Sequence, residues 1–304
     1  MHIPKDFEIR YRAILSEEYE DFISVVGKSN PSIRVNTIKI SRTKLVHRLR
    51  KQGFRLKQVP WFKDGYFVLS KEKKVTKTLE YFLGYCYAQD ASSMVPPLFL
   101  EPKPDDRILD MCATPGSKTT QLAQMMKNKG LILSLDDSLE RLKALRINLQ
   151  RLGVKNVVVV WMDARRFWRT GIKFSKILLD VPCSATGAVL DTISPITSWS
   201  LRKVLRLTRI QKGLISSAIK SLDKDGVLVY STCSLDPDEN EAVIDYAVKK
   251  FNVEVEEFEI KGLRYKSGMV KWLGKKFDNQ IENAIRIYPH HNMTEGFFIC
   301  KLRR

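Results

Sequence analysis

The chain has 304 residues, 44% of them apolar, and 52 Lys and Arg against 34 Asp and Glu give it a formal net charge of +18. That length accommodates one large domain and a smaller one, each burying its own core. The cationic surplus fits a polyanionic partner, nucleic acid above all, better than a small substrate; a plain solubility surplus is the bland alternative.

The charge is uneven. Residues 1–80 hold 18 Lys and Arg against 9 Asp and Glu, which places half the surplus in about a quarter of the chain. No apolar run reaches membrane-spanning length and no signal peptide is evident, so no membrane partner is expected. The five cysteines, at 86, 112, 183, 233 and 300, contain no Cys-x-x-Cys pair and no zinc-type spacing. His2, His47, His290 and His291 form no metal pattern with their sequence neighbours, so the metal expectation is none. An odd number of thiols without an export signal predicts a reduced, cytoplasmic protein.

In chain order, Phe7, Tyr11, Ile14, Leu15 and Tyr19 fall at roughly helical spacing across residues 7–25. Residues 32–40 read as a strand. Ser41 can cap the helix that follows, with Leu45, Val46 and Leu49 on its apolar stripe and Arg42, Lys44, His47, Arg48, Arg50 and Lys51 opposite. Gly53 ends that helix, and short strands are predicted near 54–58 and 66–70. Such a basic α+β module suits a phosphate backbone, although any one of these cations could equally belong to a solvated helix face. The aromatic cluster Tyr81, Phe82, Tyr85 and Tyr87 could stack bases, but core packing is the favoured reading.

From about residue 106 the texture changes to alternating βα units, with strands predicted at 107–111, 131–136, 157–162, 175–180 and 226–231. A final antiparallel pair is predicted at 284–288 and 296–302. Five parallel strands with a terminal hairpin describe an α/β, doubly wound, Rossmann-like sheet with a mixed edge.

Three strand ends carry the chemistry. The first is Asp110-Met-Cys112-Ala113-Thr114-Pro115-Gly116-Ser117-Lys118, where the chain leaves a strand, turns, and enters a helix. Helix amino termini attract anions, and a turn glycine lets backbone approach a ligand. The loop is neither a Walker A sequence nor Gly-x-Gly-x-x-Gly, which disfavours ATP and NAD. Asp136 and Asp163 close the next two strands. An acid at each of three successive strand ends suits an adenosyl ligand, though each alone reads as a helix cap or turn residue. The other two ends deliver Cys183, in Asp180-Val-Pro-Cys183-Ser, and Cys233, in Tyr230-Ser-Thr-Cys233-Ser, into the crevice at the carboxyl edge of the sheet. Cys86 and Cys300, in apolar settings, read as small buried hydrophobes.

Those motifs resemble the NOP/Sun (RsmB/NOP) family of RNA cytosine-5 methyltransferases. The likeness runs through Asp110–Thr119, Leu135-Asp136 with Arg141, Asp163, Asp180–Ser184 and Tyr230–Glu241. Upstream it includes Arg34-Val-Asn-Thr-Ile-Lys and Gln89-Asp-Ala-Ser-Ser-Met. It is greatest with the short archaeal tRNA-type members, which have an RRM-like amino-terminal module and no appended PUA domain. The resemblance implies a class I S-adenosylmethionine methyltransferase domain at 101–304 behind a basic RNA-binding module at 1–100. It implies a cofactor site lined by Cys112, Ala113, Thr114, Pro115, Gly116, Ser117, Lys118, Asp136, Arg141, Asp163 and Asp180. It assigns Cys233 as nucleophile and Cys183 as the base that resolves the intermediate. Ser117 replaces the family's frequent second glycine, and Ala188-Val-Leu-Asp-Thr-Ile-Ser-Pro195 replaces its common basic run; that loop is expected to face RNA.

The chemistry needs such a set. C5 of cytosine is a weak nucleophile until a thiolate adds to C6, and the charge that then develops on the base needs a donor near N3 and N4. Asp180, oriented by Lys118, is the candidate. The C5 proton must finally leave so that Cys233 can be expelled, which gives Cys183 its task. The base must be unstacked first, and Arg202, Arg206 and Arg209, at helical spacing on a predicted helix over 199–212, are candidates for phosphate contacts. Asp236-Pro-Asp-Glu-Asn-Glu241 reads as a helix cap with acids on the dipole. The expected partner is RNA, tRNA ahead of rRNA, bound by a monomer. The competing readings are a non-catalytic RNA-binding or ribosome-assembly factor on the same fold, and a small-molecule methyltransferase.

Overall fold

The computed structural model describes residues 3–70 and 72–304; His2 lies outside them. Helices α1 (Lys5–Leu15) and α2 (Tyr19–Val25) open the described chain. Phe7 and Tyr11 are fully buried, and both meet the Trp199 ring edge-on. The first helices therefore belong to the core of the large sheet rather than to the basic module.

The module follows. β1 (Ser32–Val35) is shorter than the predicted strand because Asn36 turns its amide inward, donating to the Gly84 and Leu152 carbonyls at 2.8 Å each. α3 (Arg42–Lys51) is capped by Ser41, whose hydroxyl accepts from the Lys44 amide at 3.4 Å. β2 (Leu56–Gln58), β3 (Gly65–Val68), α4 (Leu79–Phe82) and β4 (Cys86–Ala88) complete it. The four strands form an antiparallel sheet in the order β2–β3–β1–β4. Ile33, Val35, Leu45, Leu49 and Cys86 form its core. Two cations of the basic α3 face are already paired, Arg42 with Asp64 (3.2 Å) and Arg48 with the buried Glu80 (2.9 Å).

After α5 (Pro96–Leu100) come β5 (Arg107–Asp110), α6 (Ser117–Met125), β6 (Leu131–Asp136), α7 (Leu139–Leu152), β7 (Val157–Trp161) and β8 (Phe174–Asp180). Then follow α8 (Ser194–Thr197), α9 (Leu201–Lys220), β9 (Leu222–Thr232) and α10 (Glu241–Phe251). The chain ends with β10 (Glu254–Glu256), β11 (Lys266–Ser267), the hairpin β12 (Lys271–Trp272) and β13 (Lys275–Lys276), then β14 (Ile285–Ile287), α11 (Pro289–Asn292) and β15 (Phe297–Arg303).

The large sheet runs β11–β14–β15–β9–β8–β5–β6–β7, with β10 on β15. β5 to β9 are parallel, while β15 and β14 run antiparallel at the other end, as the sequence predicts. Because β5 pairs with both β6 and β8, connections diverge between β5 and β8, and a crevice opens at their carboxyl ends. Alternation along β8 explains the layering: Ile177 and Leu179 join the α1, α9 and α10 side, whereas Leu178 joins the α5 and α6 side.

Arg34 locks the module to the domain. Its guanidinium donates to Gln89, Gln124 and Thr120 at 2.7–2.8 Å, and burial pulls its pKa down to about 9.

Candidate active site

β5 delivers Asp110 to the floor of the crevice, where it accepts the Thr119 hydroxyl (2.6 Å) and burial pushes its pKa up to about 7. The loop above it turns at Gly116, whose φ of +100° favours glycine. A Cβ there would sit 2.7 Å from Leu145 Cδ1, so the glycine also serves the close packing of α7. Ser117 starts α6, and its carbonyl faces Arg34.

β8 and β9 end beside each other and bring Cys183 Sγ within 3.2 Å of Cys233 Sγ. Asp180 stands at the end of β8, accepting from Lys118 Nζ and from the Ser231 hydroxyl, both at 2.7 Å. Lys118, nearly buried, also lies 4.9 Å from the Phe297 ring centre. The contact with Cys233, then burial, hold the Cys183 pKa well above the ordinary thiol value. Cys112 sits at the mouth and is raised by burial. Cys86 and Cys300 are buried away from this site, as predicted.

Of the acids after Cys233, Glu241 sits in the first turn of a helix as read, whereas Asp236, Asp238 and Glu239 precede it. α10 starts only at Glu241, its N-cap Asn240 makes no side-chain cap, and residues 236–239 form the turn before it. Asp236 instead receives both Nε and Nη2 of Arg10 (2.7 and 2.6 Å), while Glu241 pairs with Arg286. Glu239, fully buried, gathers the two cysteine loops. It accepts from the Ser184 amide (2.9 Å) and hydroxyl, the Ser234 hydroxyl (2.8 Å) and Gln211 Nε2 (2.9 Å). Sequence could not reveal this, because an acid just before a helix is ordinarily a cap.

Beside the thiols lies a cleft of about 400 Å³ lined by Cys112, Asp136, Asp163, Asp180, Ile210 and Leu214 among others. Thr114 donates to Asp136, which also meets Arg141 (2.9 Å). Asp163 accepts the Arg165 amide and guanidinium. A lining that combines carboxylates with aliphatic side chains fits a cationic adenosyl compound. Ala113 and Pro115 line a neighbouring pocket together with Lys118, Asp180 and Cys233.

That pocket also contains Ser93, from the flanking signature at 89–94, and two groups the sequence did not single out, Glu295 and Phe297. Glu295 also lines an adjoining pocket of about 320 Å³ at the seam with the module, together with Asp90, Leu190 and Asp191. Burial and Asp90 push the Glu295 pKa up to about 7. Its one sequence signal is its place directly before a predicted strand. Leu190 and Asp191 belong to the unusual 188–195 loop, which thus borders the pocket.

Around the site, α9 exposes Arg202, Arg206 and Arg209 and buries Val204, Gln211 and Leu214, as its spacing predicts. Tyr87 is buried and Tyr81 and Tyr85 half-buried, but Phe82 is 76% exposed, against the core expectation, because it sits on the outer side of the one-turn α4. His290 and His291, unpatterned in sequence, meet Glu18 of the first segment at 3.6 and 3.2 Å. Lys266 holds the same carboxylate at 2.8 Å. No described helix is long and apolar enough to cross a membrane.

The arrangement has known counterparts. A family model described as 16S rRNA methyltransferase RsmB/F matches residues 97–303, and the model for the N-terminal domain of 16S rRNA methyltransferase RsmF matches residues 3–91. The chain is 40% identical to the tRNA (cytosine(49)-C(5))-methyltransferase of Pyrococcus abyssi, across 95% of this chain and 93% of that one. A crystal structure of a methyltransferase homolog protein from Pyrococcus horikoshii superposes with a TM-score of 0.89 at 38% identity, covering 99% of this chain and 95% of that one. NSun6 from the same organism, solved with SFG, gives 0.86 at 31%, covering 99% and 98%.

Proposed function

Because this chain belongs to the RsmB/F (NOP/Sun) family of RNA cytosine-5 methyltransferases, we propose that it methylates C5 of cytosine in RNA, tRNA first, through a covalent bond between Cys233 and C6. The observation that carries this reading is the 3.2 Å contact between the two strand-end thiols, set between a carboxylate-lined cleft and the Lys118–Asp180 pair.

S-Adenosylmethionine, the cofactor of this family, supplies an electrophilic methyl group when bound. In this reading Asp136 and Asp163 hold the ribose and adenine side, Arg141 steadies Asp136, and the 112–118 loop encloses the rest. Cys233 adds to C6 and makes C5 nucleophilic. Asp180, paired with Lys118, accepts from the exocyclic N4 amino group and keeps the ring in register. Once C5 carries its new substituent, Cys183 takes the C5 proton and Cys233 leaves as thiolate.

Substrate delivery falls to the cationic surface. The module over residues 32–88 and the α9 arginines are assigned to phosphates, and the catalytic domain, whose core takes in the first helices, receives an unstacked base. The P. abyssi relative, named for a tRNA cytosine, supports tRNA; the family models, described by 16S rRNA, keep rRNA as the second substrate.

Incubating the purified protein with methyl-labelled S-adenosylmethionine and separate tRNA and 16S rRNA transcripts, followed by bisulfite sequencing, tests the proposal. Protected cytosines in tRNA are expected. Protection confined to rRNA would overturn the substrate. Absence of transfer to either would favour an assembly factor on the same fold.

A further inference from the structure

We propose that Glu18, His290 and His291 bind one divalent transition-metal ion of the zinc type, which fastens the amino-terminal helices to the segment between β14 and β15. The site lies outside the cysteine crevice, and the inference stands independently of the cytosine-5 reading.

Local structure turns all three side chains toward one point. Glu18 ends the helical turn Ser16–Glu18 and directly precedes α2, yet its carboxylate makes no cap bond to that helix. It reaches instead to α11, which packs on α2. Glu18 and His291 are 273 residues apart in sequence, which hides the set from a reading of spacing. One ligand atom from each of the three residues lies within 4.8 Å of the other two. Glu18 Oε2 is 3.6 Å from His290 Nε2, and Oε1 is 3.2 Å from His291 Nε2. Atoms bound at about 2.0–2.1 Å around a tetrahedral zinc ion stand about 3.3–3.4 Å apart, so both separations match what one shared ion needs. The two imidazoles cross at 75°, and stacking on Tyr288 fixes the plane of the His290 ring.

The imidazoles have bonding capacity to spare. The His290 side chain is 7% exposed, and neither of its ring nitrogens has a hydrogen-bond partner among the described residues. The His291 side chain is 2% exposed, and its Nδ1 is likewise without a partner there. Buried polar atoms ordinarily find one. Two imidazoles and a carboxylate suit zinc and its neighbours rather than magnesium or calcium, which take oxygen ligands. Three protein ligands leave the fourth position to water.

Lys266 is the competitor. Its Nζ lies 2.8 Å from Glu18 Oε2, but its side chain is 51% exposed and free to swing into solvent as an ion enters. Asp21 adds negative charge near His290, and Arg264 opposes it near His291. Metal and lysine thus contend for one carboxylate, so removing the lysine must strengthen binding. The ion would steady a strap that reaches the catalytic loops. α11 leads into Gly296, whose amide donates to the Gly187 carbonyl at 2.9 Å, and the Gly187 amide donates to the Cys233 carbonyl at 2.8 Å.

Zinc titration of the untagged, metal-stripped full chain, by calorimetry and by metal content after dialysis, tests the site. Cobalt serves as the spectroscopic probe. One zinc per chain is expected, and cobalt should give d–d bands without the thiolate charge-transfer band that binding at Cys183 and Cys233 would produce. His290→Ala and Glu18→Gln should each weaken zinc binding by at least about 100-fold, since losing even an outer partner of a metal ligand costs about 10–100-fold. Lys266→Met should strengthen it by up to about fivefold, the worth of an exposed ion pair. Zinc should raise the thermal midpoint of wild type and not that of His290→Ala. Zinc that does not bind, a cobalt complex with a thiolate band, or affinity unchanged in both ligand variants overturns the proposal. Should a ligand variant fail to fold, Lys266→Met decides: tighter binding upholds the site, and unchanged or weaker binding overturns it.

Discussion

The contact between Cys183 and Cys233 raises the Cys183 pKa more than burial does. While Cys233 is a free thiolate, Cys183 is held as its hydrogen-bond donor and cannot act as a base. Once Cys233 is a neutral thioether on C6, that cause is gone, and Cys183 can pass its proton to solvent and then take the C5 proton. In the proposed reaction the pair would thus time itself, with Cys183 freed as base only after Cys233 has been used as nucleophile. Cys233→Ala should abolish methylation and form no RNA adduct. Cys183→Ala should accumulate a covalent protein–RNA complex when S-adenosylmethionine is present, visible as a band resistant to denaturing gel conditions. Identical behaviour of the two variants, or exchanged behaviour, would show the roles to be wrong.

Glu239 gives a second prediction, because its carboxylate gathers donors from both cysteine loops and from α9. Glu239→Ala leaves the Ser184 amide, two hydroxyls and the Gln211 amide without their acceptor in a dry site. Buried donors left unsatisfied cost about 1–3 kcal/mol each, less whatever water recovers. A loss of about 3 kcal/mol in urea unfolding is expected, together with reduced adduct formation in a Cys183→Ala background. Unchanged stability would mean that water replaces the carboxylate at little cost.

Stability should also depend on pH through Asp110 and Glu295. Both have folded pKa values of about 7, above the carboxylate values near 4 of an unfolded chain. The folded state then binds more protons than the unfolded one between those limits, so these groups favour folding below about pH 4 and lose that contribution as pH rises through 7. Glu18, pulled down to about 2 beside Lys266 and His291, acts oppositely, its contribution vanishing as pH falls from about 4.5 to 2. Asp110→Asn should flatten the decline between about pH 4 and 7 in thermal unfolding. An unaltered slope would remove Asp110 from the account.

The sheet was legible because its signals are local. β6, β7 and β8 are apolar runs of five to seven residues ending in or beside an acid, and the thiols follow β8 and β9 directly. Lys118 and Asp180, 62 residues apart in sequence, are paired here because β5 and β8 are neighbours, which the strand order implies. What escaped reading depends on partners distant in sequence. β4 is too short to show a period. Arg34 stood out in the sequence only as part of a flanking signature, and its burial depends on residues as distant as Gln124. Glu239 and Glu295 became informative only once the turns around Ser234 and Gly296 placed them beside the cysteine loops.

Arg34 makes that point testable. Its three side-chain acceptors come from the module strand region and from α6, so it fastens the two parts. Arg34→Met removes the charge but keeps bulk, leaving Gln89, Gln124 and Thr120 to re-pair among themselves. A destabilisation of about 2–4 kcal/mol is expected, with module amides around β1 exchanging faster than those of β8. Uniform exchange through both sheets would instead mean that the module and domain unfold as one unit however Arg34 is bonded.

The α9 arginines test how RNA is held. Arg202, Arg206 and Arg209 project from the face opposite Gln211, whose amide binds the Pro182 carbonyl next to Cys183. The stripe is thus rigidly related to the catalytic loop, and a phosphate held there would position the base rather than merely attract the RNA. Replacing all three with Ala should weaken tRNA binding and reduce the slope of log K against log salt by about 2, if each arginine meets one phosphate of a single strand. S-Adenosylmethionine affinity should change little, since none of the three arginines lines the cleft. A weaker complex with an unchanged salt slope would mean that helix packing, not phosphate contact, was lost. An unchanged complex would return the stripe to a solvated face and leave the module to carry the RNA.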